Sequence, residues 1–477
     1  ASYFGCTDQL WSWDVQDCGV DGQDCKPFTN QSFVFRCPSM CAITYNFNTR
    51  WLGPNVTGNG VPWVVGSNPY RAESWICPTA IHGGVVSQIW GGCGVLTVVG
   101  EESSFPASTE NGITSLGFPS WFPKAYTITA VGSQHCSDLT WAMLPVAMCF
   151  VGLFSLVSPS SAAFYFALVT AGFWNVIFFN IPNHDDGWVS AAFGTYIVAV
   201  AFAVVMYRFV VHHSMLVPRR FPIDTFLLTV LPFYLALYID SWTAPLSNFG
   251  FSSRAFRDPV TLATFIVLVP ALLIACAIQL FLFRRHGLIG PYLIAYGLGI
   301  AVYFTIPALL SLDIHLHHYL VGIVLLPLTK LQSRPSLLAQ GFLLGLMVQG
   351  VARWGPASPF ETRFQALNGE PAGTPQPTFA FDPAALARTG NISWTFSLAG
   401  YPGELTPGGA IPPGLPYDSF SLLMNDVEVY RGPQSSFSVA RIHADPNGTL
   451  PFYVRVALVE SGTAQDYTDP VEVRGNG

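Results

Sequence analysis

Charge is what this sequence has least of. Asp, Glu, Lys and Arg together make up 10% of its 477 residues, against about 25% in an ordinary soluble domain. A chain so poor in charge cannot cover a water-facing surface of its size, which excludes a soluble globular protein. The formal net charge is −7 with only 21 Lys and Arg, which excludes the basic face a nucleic-acid partner requires. No internal repeat recurs along the apolar runs, and few charges fall deep within them. Transport proteins usually need such charges, so carriage of a metal or small solute ranks last among the functions considered. Residue 1 is not Met and no signal peptide is seen. A removed signal peptide, or an upstream cytoplasmic tail with an anchor helix, is therefore expected.

Cysteine is unevenly spread. Cys6, Cys18, Cys25, Cys37, Cys41, Cys77, Cys93 and Cys136 all precede the first apolar run, whereas Cys149 and Cys276 lie inside apolar runs. Eight cysteines in a polar, loop-rich region imply disulfides in an oxidising compartment. Their pairing does not follow from spacing. The other two read as small apolar core residues.

Four sequons mark glycosylation, at Asn30, Asn55, Asn391 and Asn447. Residues 1–137 alternate short apolar runs (Phe33–Phe35, Val64–Val65, Val95–Val98) with Gly/Asn/Pro turns. That pattern predicts a disulfide-rich α+β domain outside the cytoplasm.

Between residues 138 and 355 eight apolar runs follow, at about 139–157, 161–181, 188–207, 222–239, 259–283, 290–311, 317–330 and 335–352. Most approach the ~20 residues that a helix needs to cross a bilayer. They predict an eight-helix, all-α transmembrane bundle. Arg208, Arg219 and Arg220 follow the third run, Arg284 and Arg285 the fifth, Lys330 and Arg334 the seventh. By the positive-inside rule these turns are cytoplasmic, and both end regions are outside. Arg254, Arg257 and Arg353 run against that signal. Trp141, Trp188, Trp242, Tyr319 and Trp354 are expected as interfacial anchors. Gly341 and Gly345 permit close helix approach, and Asn175 and Asn180 are placed to bond across helices.

The turns after the second, fourth and sixth runs then share the outer face. They hold His184-Asp185-Asp186, Asp240, and the stretch Leu312–Tyr319 with Asp313, His315, His317 and His318. Imidazole with carboxylate suits zinc or another transition metal. The bland reading is a hydrogen-bonded polar collar, and a proton or electron relay is a third. On a helix His315 and His318 share a face. In an extended segment His315 and His317 do. With a metal, His184, His315, His317 and His318 as ligands and Asp185 or Asp186 as ligand or base would make an outer-leaflet hydrolase. His212, His213 and His286 sit beside basic residues and belong to the cytoplasmic belt.

Residues 356–376 are rich in Pro, Gly and Ala and read as a linker. From 377 to 477 alternating runs appear at Ser393–Ala399, Ser419–Tyr430, Ser436–Ile442, Phe452–Glu460 and Pro470–Arg474. They predict a second outer domain, a β-sandwich resembling fibronectin type III, without catalytic or phosphate-binding motifs.

Several blocks resemble a known family. FRCPSMC (Phe35–Cys41), VVGSNPYRAESWICPTAIHGGVV (Val64–Val86), GGCGVLTV (Gly91–Val98) and ENGITS (Glu110–Ser115) resemble an LCCL domain. Cys6, Cys18, Cys25 and Cys93, with LHHYLVGIVLLPLT (Leu316–Thr329), QSRPSLLAQGFLLGL (Gln332–Leu346) and GVARWG (Gly350–Gly355), resemble the fungal multispanning branch of that family. Pro78-Thr79 departs from the family's small alanines and puts the helix start in question. The resemblance implies a cell-surface or luminal protein whose LCCL-like domain binds a glycan or lipid. The membrane part carries no transferable chemistry. Ile81-His82-Gly83-Gly84 is the family's helical hallmark, and His82, among small apolar residues, reads as a buried hydrogen-bonded core residue rather than a ligand contact. Seven-helix ceramidase and adiponectin-receptor hydrolases use a comparable His/Asp set, but with an HxxxH pair where this chain has HLHH. Membrane lipid is an expected partner. A homo-oligomer is compatible with the sequence, though no residue pattern specifies one.

Overall fold

The computed structural model describes residues 2–11, 18–25, 31–44, 46, 50–53, 55–56, 62–131, 136, 138–180, 188–239, 259–310, 312–314, 317–361, 373–379, 389–396, 409–438 and 451–473. At 24–25, 55–56, 259–265, 267–269 and 271–272 the description is of the backbone alone. The chain forms two compact units. One joins residues 1–137 to 367–477, and the other holds 138–366.

The N-terminal part of the first unit is built on a five-stranded sheet. Its strands are β1 (Ser2–Tyr3), β2 (Ser32–Cys37), β5 (Tyr70–Arg71), β6 (Gly92–Glu102) and β9 (Phe122–Ala130), in the order β1-β2-β6-β9-β5. Two small hairpins, β3–β4 (Trp51–Leu52, Asn55–Val56) and β7–β8 (Thr109–Glu110, Ile113–Thr114), flank it. Helix α1 (Ile76–His82) is buried at every residue. Its Ile76, Cys77, Ala80 and Ile81 share one core with Phe35, Leu96, Val98, Tyr126 and Ile128 of the sheet. Pro78 stands in the first turn of α1, where a backbone N–H has no helical acceptor and its loss costs nothing. Three disulfides brace this part: Cys6–Cys41, Cys37–Cys77 and Cys93–Cys136. Cys18 is also disulfide-bonded, and the side chain of Cys25 lies outside the described residues.

The second unit is helical: α2 (Thr140–Val157), α3 (Ser161–Asn175), α4 (Trp188–Met206), α5 (Leu231–Leu237), α6 (Pro259–Arg285), α7 (Ile289–Leu310), α8 (His318–Leu325) and α9 (Arg334–Trp354). Among the described residues five helices are long and apolar enough to cross a membrane, with α3 running on to Asn180 and α4 to Arg220. Two shorter apolar helices, Pro222–Leu237 and His318–Thr329, and the 27-residue α6 complete the set. The π-helical turn Phe226–Val230 ends two residues before Pro232, whose missing N–H breaks the α-ladder there.

Helix α9 is the hub. It is buried along most of its length, and its small residues are the reason. A Cβ on Gly345 would meet the Phe233 carbonyl at 2.3 Å, and one on Gly341 the Thr229 carbonyl at 2.7 Å. Only glycine lets the two backbones come so close. Several buried polar groups are paired across helices, as an apolar surround favours. Gln340 Nε2 donates to Ser214 Oγ at 2.7 Å, Asn180 Nδ2 to the Leu237 carbonyl at 2.9 Å, and Tyr238 O–H to Asn175 Oδ1 at 3.0 Å. Tyr319, expected as an interfacial anchor, is instead 5% exposed and stacks on Phe202. Trp354 is 60% exposed, while Trp242 lies outside the described residues. Two short strands close this unit, β10 (Asp313–Ile314) pairing with β11 (Phe360–Glu361).

The C-terminal part belongs to the first unit. It has a three-stranded sheet, β12 (Thr378–Phe379), β13 (Asn391–Thr395) and β16 (Ser436–Ser438). A second sheet has β14 (Ser419–Met424), β15 (Val427–Gly432), β17 (Phe452–Glu460), β18 (Thr463–Ala464) and β19 (Val471–Val473). Trp394 and Phe437 of one share a core with Phe420, Leu422, Val454 and Val456 of the other. Ser419–Tyr430, expected as one strand, is a hairpin. Asn425 and Asp426 take φ of +49° and +62°, the left-handed pair that a tight two-residue turn needs.

Candidate functional site

Three constellations stand out, and each is built by a different part of the sequence. The first is His82, at the end of α1. It is 1% exposed. Its Nδ1 lies 2.8 Å from the Tyr70 hydroxyl. Its Nε2 lies 3.1 Å from Ser108 Oγ and 3.4 Å from the Ser108 carbonyl. A carbonyl can only accept, so a proton on Nε2 and Tyr70 donating to Nδ1 satisfies every group. Burial, aided by the Glu110 charge, pushes the Tyr70 phenol up to about 12, which keeps it a donor. Asn111 Nδ2 caps the His82 carbonyl at 2.9 Å. The imidazole thus ties α1 to the β7–β8 hairpin and is not presented to solvent.

The second is Leu312–Tyr319. The chain is extended through Asp313–Ile314 and at His317, then turns helical at His318. His317 Nε2 donates to the Ser358 carbonyl at 2.9 Å, and His318 Nδ1 donates to Gln349 Oε1 at 3.2 Å. Tyr319 O–H donates to the Ala357 carbonyl at 2.5 Å. Asp313 is exposed on β10, in register with Glu361. These bonds fasten the segment that follows α9, at the start of the stretch read as a linker. His184, Asp185, Asp186, Asp240 and His315 lie outside the described residues. Among the described residues no three His, Cys, Asp or Glu side chains gather as metal ligands.

The third was not visible in the sequence. Arg71 on β5 has no exposed surface, and its Nη2 lies 2.5 Å from Asp426 Oδ2 and 3.0 Å from Glu73 Oε1. Its guanidinium stands 4.4 Å from the Phe118 ring centroid and 4.3 Å from that of Phe122, a cation–π arrangement. Arg455 Nη1 approaches Asp426 Oδ1 at 3.7 Å. Around the charges, Asn425 Nδ2 donates to Ser120 Oγ at 2.9 Å and to the Trp121 carbonyl at 2.7 Å. Val427 and Tyr453 join Trp11, Trp63, Phe105 and Phe118 in one apolar core. Burial raises the Glu73 carboxyl above its usual range against the pull of Arg71, and burial lowers the neighbouring Arg50 to about 10. Chemically this is a lock between the two chain ends. Nothing in local pattern pairs residues 355 positions apart.

Asn391, one of the sequons, is exposed at the start of β13. Asn55 is described by its backbone alone, and Asn30 and Asn447 lie outside the described residues.

Comparison with known proteins agrees with this architecture at the N-terminus. The family model for the LCCL domain matches residues 5–125. An uncharacterized protein of the yeast Saccharomyces cerevisiae is 27% identical over 505 residues, spanning 96% of this chain and 72% of the relative. The chain therefore carries an LCCL domain, joined to a helical middle with several apolar helices and to C-terminal sheets.

Proposed function

We propose that this chain is an integral membrane glycoprotein of the secretory pathway or plasma membrane, in a fungal lineage, whose LCCL domain binds a glycan or lipid outside the cytoplasm. The observation that carries the topology is the composition of the first unit. Residues 1–137 and 367–477 fold together, which supports a placement of both ends of the helical middle on one side of a membrane. That demands an even number of crossings. Eight apolar helical segments among the described residues meet the demand. Disulfides and the exposed Asn391 support the outer side. The C-terminal sandwich, of the fibronectin type III kind, serves as a brace for the LCCL domain rather than as a second reader.

The test has two arms. Asn391→Gln should abolish an endoglycosidase-sensitive mobility shift at that site, and its absence in the parent chain would refute the outer placement. Full-length protein in detergent, probed on glycan and lipid arrays, should bind one class. Failure on every class would refute the binding role.

A further inference from the structure

We propose that the groove between α2 and the helix Pro222–Leu237 binds one anionic phospholipid, with an acyl chain in the groove and the headgroup phosphate on Arg219 and Arg220. The site rests on the membrane reading above and adds a specific lipid to it.

The groove has a volume of about 490 Å³, within the roughly 300–1,000 Å³ of small-ligand pockets. Leu153 and Leu156 line it from α2, and Pro222, Ile223 and Leu227 from the other helix. Gly152 helps to shape it. A Cβ there would meet the Phe226 ring at 3.1 Å, so glycine lets the ring seat against α2. The π-helical turn Phe226–Val230 begins in this wall, and such turns are frequent at functional sites. Ser155 brings the one hydroxyl of the lining, and it donates to the Gly152 carbonyl of its own helix at 2.6 Å. A polar solute would therefore find no free hydroxyl in the groove, whereas an alkyl chain needs none.

The occupant follows from where the charge lies. The turn Pro218–Arg220 packs on α2, and Arg220 is two residues before Pro222. Arg219 and Arg220 are exposed, and among the described residues neither takes part in an ion pair. Asp224, the acid nearest in sequence, is matched by Arg334 at 3.3 Å and does not cancel them. An apolar slot ending at two uncommitted guanidiniums complements an amphiphile with an anionic head. Guanidinium binds phosphate oxygens in pairs, and the alkyl part takes the slot. By the positive-inside rule this end of both helices faces the cytoplasm, and that leaflet carries the anionic lipids. A sterol or a neutral lipid would fill the slot and leave the arginines unmatched. A second copy packed symmetrically here would bring the same arginines together across the contact, which like charges oppose.

The full chain in a neutral detergent is titrated with phosphatidylglycerol or with phosphatidylcholine, and Tm is followed by tryptophan fluorescence. Phosphatidylglycerol should raise Tm at a concentration at least about tenfold lower. Arg219→Gln with Arg220→Gln should abolish that preference. Ile223→Trp, at a position 73% exposed, fills the slot and should weaken the response to both lipids. Arg284→Gln with Arg285→Gln removes the same charge from another turn and should keep the preference. Equal response of the parent chain to the two lipids overturns the site. So does an equal loss in the two arginine variants, which marks a general basic surface. A Tm rise as large with glycerol phosphate as with the lipid overturns the acyl chain's part. A dimer on size exclusion that Ile223→Trp dissolves overturns the lipid in favour of a second copy. Flotation with phosphatidylcholine vesicles separates this site from the reading it rests on. Release of the chain by alkaline carbonate refutes the membrane reading and the site with it, whereas retention without a phosphatidylglycerol preference refutes the site alone.

Discussion

Asp426→Asn removes one charge from the lock around Arg71 and little else. Asparagine keeps the side-chain shape and tolerates the left-handed φ of +62° that this position holds, so the turn itself is not strained. What is lost is the anion 2.5 Å from a guanidinium with no exposed surface. Breaking a buried ion pair from one side costs about 3–5 kcal/mol, because the remaining charge stays desolvated. The Asp426 side chain is 18% exposed, and Glu73 remains 3.0 Å from Arg71, so the lower end of that range, about 3 kcal/mol, is expected. For a unit of this size 1 kcal/mol shifts Tm by about 2–4 °C, giving a drop of about 6–12 °C. The full chain is heated in detergent and followed by tryptophan fluorescence, which Trp11 and Trp63 report from the same core. Asp224→Ala is the control. Its partner Arg334 is 78% exposed, and a surface pair of this kind contributes no more than about 1 kcal/mol. The lock also predicts coupling: Arg71→Met should cost less in the Asp426→Asn background than alone. A Tm change for Asp426→Asn no larger than that for Asp224→Ala would refute the reasoning.

Other consequences can be checked with the same protein. Glu73 has a folded-state pKa raised above the ordinary 4.5. Its contribution is therefore full below that value and is lost as pH rises through the folded pKa. Stability should fall as pH is raised above about 4.5, and Glu73→Gln should flatten that part of the profile. An unchanged slope in the variant refutes the assignment. His82→Leu strands the buried Tyr70 hydroxyl, at about 1–3 kcal/mol for an unsatisfied group. A ligand contact would instead lose binding at unchanged Tm. Gly345→Ala drives a methyl into the Phe233 carbonyl and should cost about 1–3 kcal/mol through overpacking, seen as earlier aggregation on heated size exclusion. Gly299→Ala, where nothing lies within 4 Å, should behave as the parent. Equal behaviour of the two variants would remove the close-packing argument for α9.

Much of the helical middle is legible locally. Helices fall within the apolar runs because each helix satisfies its own backbone and shows its hydrophobicity within about twenty residues. Gly341, Gly345, Asn175 and Asn180 were recognisable by type alone, since small residues and amides have few other uses between apolar helices. His82 was readable as a core residue from its small apolar neighbours. In the histidine-rich stretch composition made Asp313, His317 and His318 candidate ligands, and the described contacts include the Ser358 carbonyl, Gln349 and the β10–β11 register. With His184, Asp185, Asp186, Asp240 and His315 outside the described residues, the ligand set itself stays an expectation. Ser419–Tyr430 was misread because a run of strand-forming residues hid the turn at Asn425-Asp426.

By itself, the sequence determined a charge-poor chain, its apolar helices, its cysteine-rich start and the two-residue period of β17, because each of these is a property of neighbouring residues. Only the tertiary structure decided that β17 is buried on both faces, with Val454 and Val456 in the core shared by the two C-terminal sheets and Tyr453 against Phe118. Only it decided that Arg71 meets Asp426. A solvated outer face and a face covered by the other end of the chain differ in what they touch, not in their period, and contacts 355 residues apart leave no trace in local order.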